Sequence, residues 1–394
     1  GTNDSPMFRA KSFGGSLRSP TDLSAAFGGN REPAPSLTPG PAVKQNEISE
    51  VMSGESDVRA HETLPARNAS IQSQQRTPGV NTVPVAVVLT TYNGKSRGFL
   101  EKAIQSVLDQ TVAPQEFIVV DDGSKDGTAE WVRDRFPQVR VVTKTNGGPA
   151  SARNWGVQES HSPLVCFLDD DDVWLPRKLE VQYDRMSGPS HPDLVFSAIT
   201  MINERDEVTG GWSPEEFDLQ WPHVLLRNPI WNPSCVMMRR EAFLGTGGFN
   251  EAVDHKFVED YEMWIKIARE YRIDAIAEPL ILYRSHSTQN SSSFSGILGK
   301  VIPIVRSYAA KVPGLDPHRV VAYHLYGGFF VTLHKAGWKP AMELLKANPN
   351  GRWRPILLLL RLIGVMLHRV RFVQRRWRRF ESRFFLGHPS PREA

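Results

Sequence analysis

Four consecutive carboxylates, Asp169, Asp170, Asp171 and Asp172, follow the apolar run Leu164-Val165-Cys166-Phe167-Leu168. Such a run reads as a buried strand, so the acids stand at its carboxyl end. Open α/β sheets bind ligands at that edge. Like charges packed together repel, and a hard divalent cation, which takes carboxylate oxygens, is their natural partner. A cation there attracts a second anion, for which a nucleotide diphosphate is the leading candidate; the plain alternative is a solvated acidic turn. A second pair, Asp121-Asp122, precedes Gly123-Ser124. These carboxylates can accept a base N–H or a ribose hydroxyl, or cap a strand-to-helix turn. A third pair, Glu259-Asp260, stands just before a helical pattern, where such acids complement the helix dipole.

The stretch Asn146-Gly147-Gly148-Pro149 leads into Ala150-Ser151-Ala152-Arg153-Asn154. Pro149 suits a first helical turn, and glycines before a helix amino terminus let an anion approach closely. Arg153, one turn in, reaches toward a phosphate or a base. An N-capped surface helix is the alternative.

These groups need a scaffold to bring them together. Val85–Leu89, Phe117–Val120, Val139–Val142 and Leu164–Leu168 read as buried strands. Between them, Phe99 to Leu108, Trp131 to Phe136 and Pro149 to about Glu159 carry helical spacing. Alternating strands and helices joined by short turns predict an α/β, mostly parallel, doubly wound sheet flanked by helices. Further strands are expected at Leu194–Phe196 and Cys235–Met238, and an amphipathic helix from Tyr261 to Tyr271.

Composition bounds the classes. The chain has 394 residues, 40% of them hydrophobic, with a mean hydropathy of −0.35, which argues against a protein of many membrane spans. Two cysteines, Cys166 and Cys235, imply no disulfide framework and an expected cytoplasmic setting. No apolar leader is visible at the amino terminus, so no secretory signal is expected. Residues 1–82 are rich in Ser, Pro, Gly, Asn and Gln without apolar period, and are expected to be disordered.

Taken in order, the motifs resemble glycosyltransferase family 2, an inverting group with the Rossmann-like GT-A fold. The matching elements are Val88-Leu89-Thr90-Thr91-Tyr92-Asn93, Val119 to Thr128 around Asp121-Asp122-Gly123-Ser124, and Asn146 to Gly156. They continue with Phe167 to Asp172 before Trp174-Leu175-Pro176, then Gly247-Gly248-Phe249 and Glu259 to Trp264. The resemblance covers about residues 84–290, and it implies roles residue by residue. Thr90, Tyr92, Asp121 and Asp122 would hold the base and ribose, and Arg153 would contact base or phosphate. Asp169 and Asp171 would frame the family's D-x-D motif, with Asp171 ligating Mg²⁺ or Mn²⁺ and Asp170 against ribose or diphosphate. Asp172 would only cap. Asp260, paired with Glu259, would be the base that takes the acceptor hydroxyl's proton. His286, in Tyr283-Arg284-Ser285-His286, would complete the metal shell or touch the diphosphate, or else be a solvated loop residue; Ser291 to Ser293 end that element. Trp231, in a region that lines the acceptor side in the family, would stack on a sugar or fill core.

The implied partners are a nucleotide-sugar donor, with a UDP-sugar expected, and a hydroxyl acceptor that is a saccharide, lipid-linked or protein. Assembly of cell-surface polysaccharide or glycolipid is the expected setting. A catalytically silent nucleotide-sugar binding or scaffold protein is the rival from another class. A nucleotidyltransferase ranks lower, because Thr90 to Lys95 is a poor glycine-rich phosphate loop.

The expected organisation is a disordered segment at 1–82, a GT-A domain at 83–296 and a helical extension at 297–394. Val320 to Leu333 is expected to be a helix packed on the domain. The net charge of +4 conceals a tail: residues 351–394 hold eleven arginines against two glutamates. The apolar run around Ile356 to Leu367 is about a dozen residues, short of the roughly 20 needed to span a bilayer. A basic, aromatic stretch beside it suits adsorption to an anionic membrane, peripheral on the inner face of the cytoplasmic membrane; a packed helical hairpin is the alternative. No nucleic-acid module is recognisable, and none is expected as a partner.

Overall fold

A computed structural model of the chain describes residues 81–214, 218–252, 258–286 and 294–336. The expectations for residues 1–80, for Ser291 to Ser293 and for the arginine-rich tail lie outside the described residues.

The first half is a parallel α/β unit. Its strands are β1 (Thr82–Thr91), β2 (Ala113–Asp121), β3 (Arg140–Thr143) and β4 (Leu164–Asp169). Between them run the short helix α1 (Gly94–Arg97), then α2 (Leu100–Leu108), α3 (Thr128–Arg135) and α4 (Pro149–Gln158). Val85, Val87, Val88 and Leu89 are buried, as strands covered on both faces require. Helix α4 lies tightly on β1, because a Cβ added at Gly156 would stand 2.2 Å from Val88 Cγ1.

The second half is mixed. It comprises β5 (Val173–Trp174), α5 (Lys178–Ser187), β6 (Leu194–Ile202), β7 (Val208–Trp212), β8 (Val236–Arg239), α6 (Arg240–Gly245), α7 (Glu259–Glu270) and β9 (Ile273–Arg284). The sheet order is β3-β2-β1-β4-β8-β6-β9-β5, with β7 on β6. The first four strands are parallel, whereas β8 runs antiparallel to β4 and β6, and β9 is parallel to β6. The parallel expectation thus holds for the strands joined by helical crossovers. It gives way in the second half, where β7 turns back onto β6 and β8 runs against both of its neighbours. Strand β7 takes over the edge of β6 at Ile199–Ile202, beyond Leu194–Phe196 where β8 pairs.

Register sets the level of the functional edge. Thr90 pairs with Asp169 of β4, and Thr91 with Asp121 of β2. Strands β1, β2 and β4 therefore end at one height and deliver two acidic loops, after β2 and β4, beside the basic loop that follows β1.

Two helices, α8 (Phe294–Ala309) and α9 (Pro317–Ala336), follow β9. Their side chains, among them Val305, Val320 and Tyr323, share a second core with Val224, Leu225, Tyr261 and Ile265. Among the described residues, no helix is long and apolar enough to cross a membrane.

Candidate active site

A cleft of about 450 Å³ opens along the carboxyl edge of β1 and β4. Thr90, Tyr92, Asp122, Arg153, Asp169, Asp170, Asp171, Trp231, Glu259 and Asp260 line it, together with Arg97, Asn232 and Tyr283. Ten of the twelve sequence-predicted residues therefore meet in one space. Asp121 and His286 do not line it. Asp121 accepts the amide of Ser124 at 2.9 Å, capping the turn. His286 stands behind Asp171.

The four aspartates are separated chemically by their partners. Asp169 accepts from Arg153 Nη2 at 2.6 Å. Asp170 is buried and receives both Arg97 and the hydroxyl of Thr91. Burial, opposed by Arg97 and reinforced by Asp171, pushes its carboxyl up to about 7. Asp172, expected only to cap, is fully buried and structural. It accepts Asn232 Nδ2 at 2.6 Å and the Arg284 amide at 3.0 Å. Burial lifts its carboxyl well above the usual range, with Asp171 and Asp169 adding to the rise. Asp171 has His286 Nε2 at 2.9 Å from its Oδ2. Asp169 and Asp170 thus carry arginine partners of their own, so a metal is not needed to neutralise those two acids.

Arg284 sets this loop from below. It is buried, lies 4.6 Å above the ring of Phe99 and donates from Nε to the Asp171 carbonyl at 2.9 Å. The same guanidinium bonds the Asn203 carbonyl at 3.0 Å and pairs with Asp206. Sequence reasoning gave Arg284 no task of its own.

The glycine-rich start of α4 is filled from within. Gly147 and Gly148 donate their amides to Asp122 at 2.9 and 2.7 Å, and Lys144 Nζ adds a third contact at 2.8 Å. The anion at this helix terminus is therefore the chain's own carboxylate. Gly123 and Gly148 adopt φ of 77° and 87°, a region open chiefly to glycine.

Arg153 bridges the two halves. Its Nη1 lies 3.1 Å from Glu259 Oε1 on α7, opposite its bond to Asp169. Its guanidinium stays charged, burial being outweighed by Asp169 and Glu259. Helix α4 is anchored to the same side by Asn154, which donates to the Phe249 carbonyl at 2.8 Å and accepts the Phe249 amide at 2.9 Å. Gly247-Gly248 makes room, since a Cβ at Gly248 would meet Asn154 Oδ1 at 2.8 Å.

Asp260 is partly buried at the start of α7 and faces the cleft. Burial, with the Glu259 charge beside it, raises its carboxyl to about 7. A carboxylate poised there can take a proton near neutral pH. Arg97, missed from sequence, closes the other wall by pairing with Asp170 and donating to the Tyr92 carbonyl at 3.0 Å. Its only signal was a lone arginine in the loop after β1.

Residues 86–245 match the model of Glycosyl transferase family 2. An uncharacterised glycosyltransferase of Rickettsia conorii is 31% identical over 218 residues, 54% of this chain; the match spans only 35% of that protein's length. The Escherichia coli UDP-Glc:alpha-D-GlcNAc-diphosphoundecaprenol beta-1,3-glucosyltransferase WfgD is 29% identical over 53% of this chain and 79% of its own. The amylovoran biosynthesis glycosyltransferase AmsE of Erwinia amylovora is 28% identical over 46% and 68%. Among solved structures, S. aureus TarS 1-349 in complex with UDP-GlcNAc superposes with a TM-score of 0.53 at 18% identity, covering 76% of this chain and 91% of that one. That similarity shows a shared GT-A fold. Over residues 86–245, then, the chain carries a region similar to glycosyltransferase family 2.

Proposed function

We propose that the cleft transfers a sugar, with inversion, from a nucleoside-diphosphate donor to a hydroxyl acceptor. The observation that carries this reading is that Asp260, its carboxyl held near neutrality, lines the same cleft as Asp171. The acceptor oxygen attacks the anomeric carbon as Asp260 takes the hydroxyl proton. A new glycosidic bond forms, and the bond from the anomeric carbon to the diphosphate oxygen breaks with its electron pair leaving on the diphosphate.

Tyr92, Thr90 and Asp122 lie on the β1–β2 side and would receive the base and ribose. Arg97 and Arg153 would face the phosphates, each drawn partly from its present carboxylate. The bond from Asp121 to Ser124 leaves it to shape the base side.

Asp171 and His286 would hold Mg²⁺ or Mn²⁺. Among the described residues no three His, Cys, Asp or Glu side chains already surround a cation site. Asp169 is engaged by Arg153, which makes it the weaker of the expected ligands. A carboxylate beside an imidazole nevertheless suits a cation that takes its remaining oxygens from substrate phosphates. When bound, the ion supplies positive charge against the leaving diphosphate.

A UDP-sugar is the proposed donor, supported by the name of WfgD and by the UDP-GlcNAc complex of TarS. The names of WfgD and AmsE favour polysaccharide assembly and a lipid-linked acceptor. The proposed setting is the cytoplasmic face of the membrane, with the basic tail as its contact. A screen of nucleotide sugars by thermal shift, with and without Mn²⁺, followed by assay of nucleotide release, tests the reading. A donor that stabilises the chain and is turned over supports it. A screen in which no nucleotide sugar binds contradicts it.

A further inference from the structure

Arg97 stands outside every motif of the sequence, yet it lines the cleft. The two arginines there are held differently. Arg153 is buried between Asp169 and Glu259, so its charge is already shared by two carboxylates. The side chain of Arg97 is 31% exposed, and its one carboxylate partner among the described residues is Asp170. Both of its hydrogen bonds, to Asp170 and to the Tyr92 carbonyl, are made by Nη2. Nη1 bonds none of the described residues, so one edge of an accessible guanidinium keeps its N–H donors.

The backbone beneath Arg97 is fixed. Helix α1 has four residues, set between the left-handed positions Asn93 (φ 54°) and Gly98 (φ 78°). It is joined to the loop after β2 through Asp126. One oxygen of that carboxylate accepts the Ser96 amide and the Ser96 hydroxyl, each at 2.9 Å. The other accepts the Thr128 amide at 3.1 Å, at the start of α3. The Lys95 amide donates to the Thr128 hydroxyl at 3.1 Å. Asn93 donates its amide to Ser124 and accepts the Lys125 amide, both at 2.8 Å. The segment that bears Arg97 and the loop that bears Asp121 and Asp122 therefore form one wall, and the Asp170 contact aims the guanidinium across the cleft.

We infer that the open Nη1 edge of Arg97 binds the terminal phosphate of the donor's diphosphate, and that Asp126 is the positioning residue that mounts it. The inference rests on the sugar-transfer reading and adds a catalytic residue for its bond-breaking step. As the bond from the anomeric carbon to the diphosphate oxygen breaks, the electron pair stays on that oxygen. Arg97 donates hydrogen bonds there without giving up a proton, while the acceptor's proton goes to Asp260. A charge-assisted bond from a guanidinium to phosphate is among the stronger ones available. Placed where the leaving group gathers charge, it lowers the barrier.

Calorimetry of UDP and UMP on the full chain, with Mn²⁺ present, tests it. UDP is the product of the proposed reaction, so its terminal phosphate is the leaving group itself, and UMP lacks that phosphate. Arg97→Met should weaken UDP about tenfold or more, the scale of a lost hydrogen bond to a charged group, and leave UMP unchanged. Arg97→Lys should fall between, because one ammonium cannot serve Asp170 and the phosphate as a planar fork does. Asp126→Ala should lower the preference for UDP over UMP in the same direction and by less. Far-UV circular dichroism checks that the variants fold. An equal loss of UDP and UMP affinity in Arg97→Met, the mark of a merely structural residue, would overturn the assignment, as would unchanged affinity for UDP. An undiminished preference in Asp126→Ala would remove Asp126 from the mount. A parent chain that binds neither nucleotide strikes the sugar-transfer reading itself, whereas a parent that binds both, with the same preference kept in Arg97→Met, strikes this inference alone.

Discussion

Arg153 joins Asp169 at 2.6 Å to Glu259 at 3.1 Å, so one buried guanidinium ties the end of β4 to the start of α7. The acidic loop and the residue proposed as base, Asp260, are positioned relative to each other by this bridge. Replacing Arg153 with Met should leave two carboxylates unpaired in a buried site, at a cost of about 3–5 kcal/mol. Arg153→Lys should recover only part, because an ammonium lacks the planar fork that serves both acids. Urea denaturation of the three proteins checks this.

Asp260→Asn should retain donor affinity and lose about 10²–10⁴ in turnover, the usual contribution of a positioned base. Calorimetry with UDP and an assay of nucleotide release separate the two. Turnover equal to the parent would remove Asp260 from that role.

The raised carboxyl of Asp260 has two consequences for pH. A base must be ionised, so turnover should climb with pH through about 7 and level off above it. In the ligand-free chain the sign for stability is opposite. The folded protein holds this proton up to about 7, while the unfolded chain releases it near the ordinary Asp value of about 3.9. The neutral carboxyl therefore favours the folded state at low pH, and that advantage is lost as pH rises from about 4 to 7. Asp260→Asn should accordingly match the parent near pH 4 and be the more stable of the two at pH 8, by about 1 kcal/mol or more. Thermal melts at both pH values check the crossover.

Gly156→Ala should destabilise the chain by about 1–3 kcal/mol. The added methyl would be forced to within 2.2 Å of Val88 Cγ1, where α4 crosses β1. Chemical denaturation gives the difference directly.

The parallel half was legible because each of its strands carries an unbroken apolar run and helices α2 and α4 follow in helical spacing. The pairing of β7 was not. Val208-Thr209-Gly210-Gly211-Trp212 carries two glycines and an exposed face, a pattern that reads as loop until β6 supplies a partner. Strand β9 was not among the expected strands, because Pro279 interrupts its apolar pattern. Within the site, acids announced themselves by clustering. The residues that manage them, Arg97, Arg284 and Asn232, were scattered singly through the chain, and only the fold brings them to the acids. Asp172 shows the limit of reading four identical residues in a row: its burial depends on Asn232 and Arg284, far away in sequence.

The central claim is that a divalent cation at Asp171 grips the donor's diphosphate. The most direct test is the thermal shift of the full chain by UDP, with and without Mn²⁺, in the parent and in Asp171→Ala. The parent should be stabilised by UDP only when Mn²⁺ is present, by about 2.7 kcal/mol at a hundredfold excess over Kd, and Asp171→Ala should show no such gain. Equal stabilisation by UDP without Mn²⁺, or an undiminished shift in Asp171→Ala, would contradict the account.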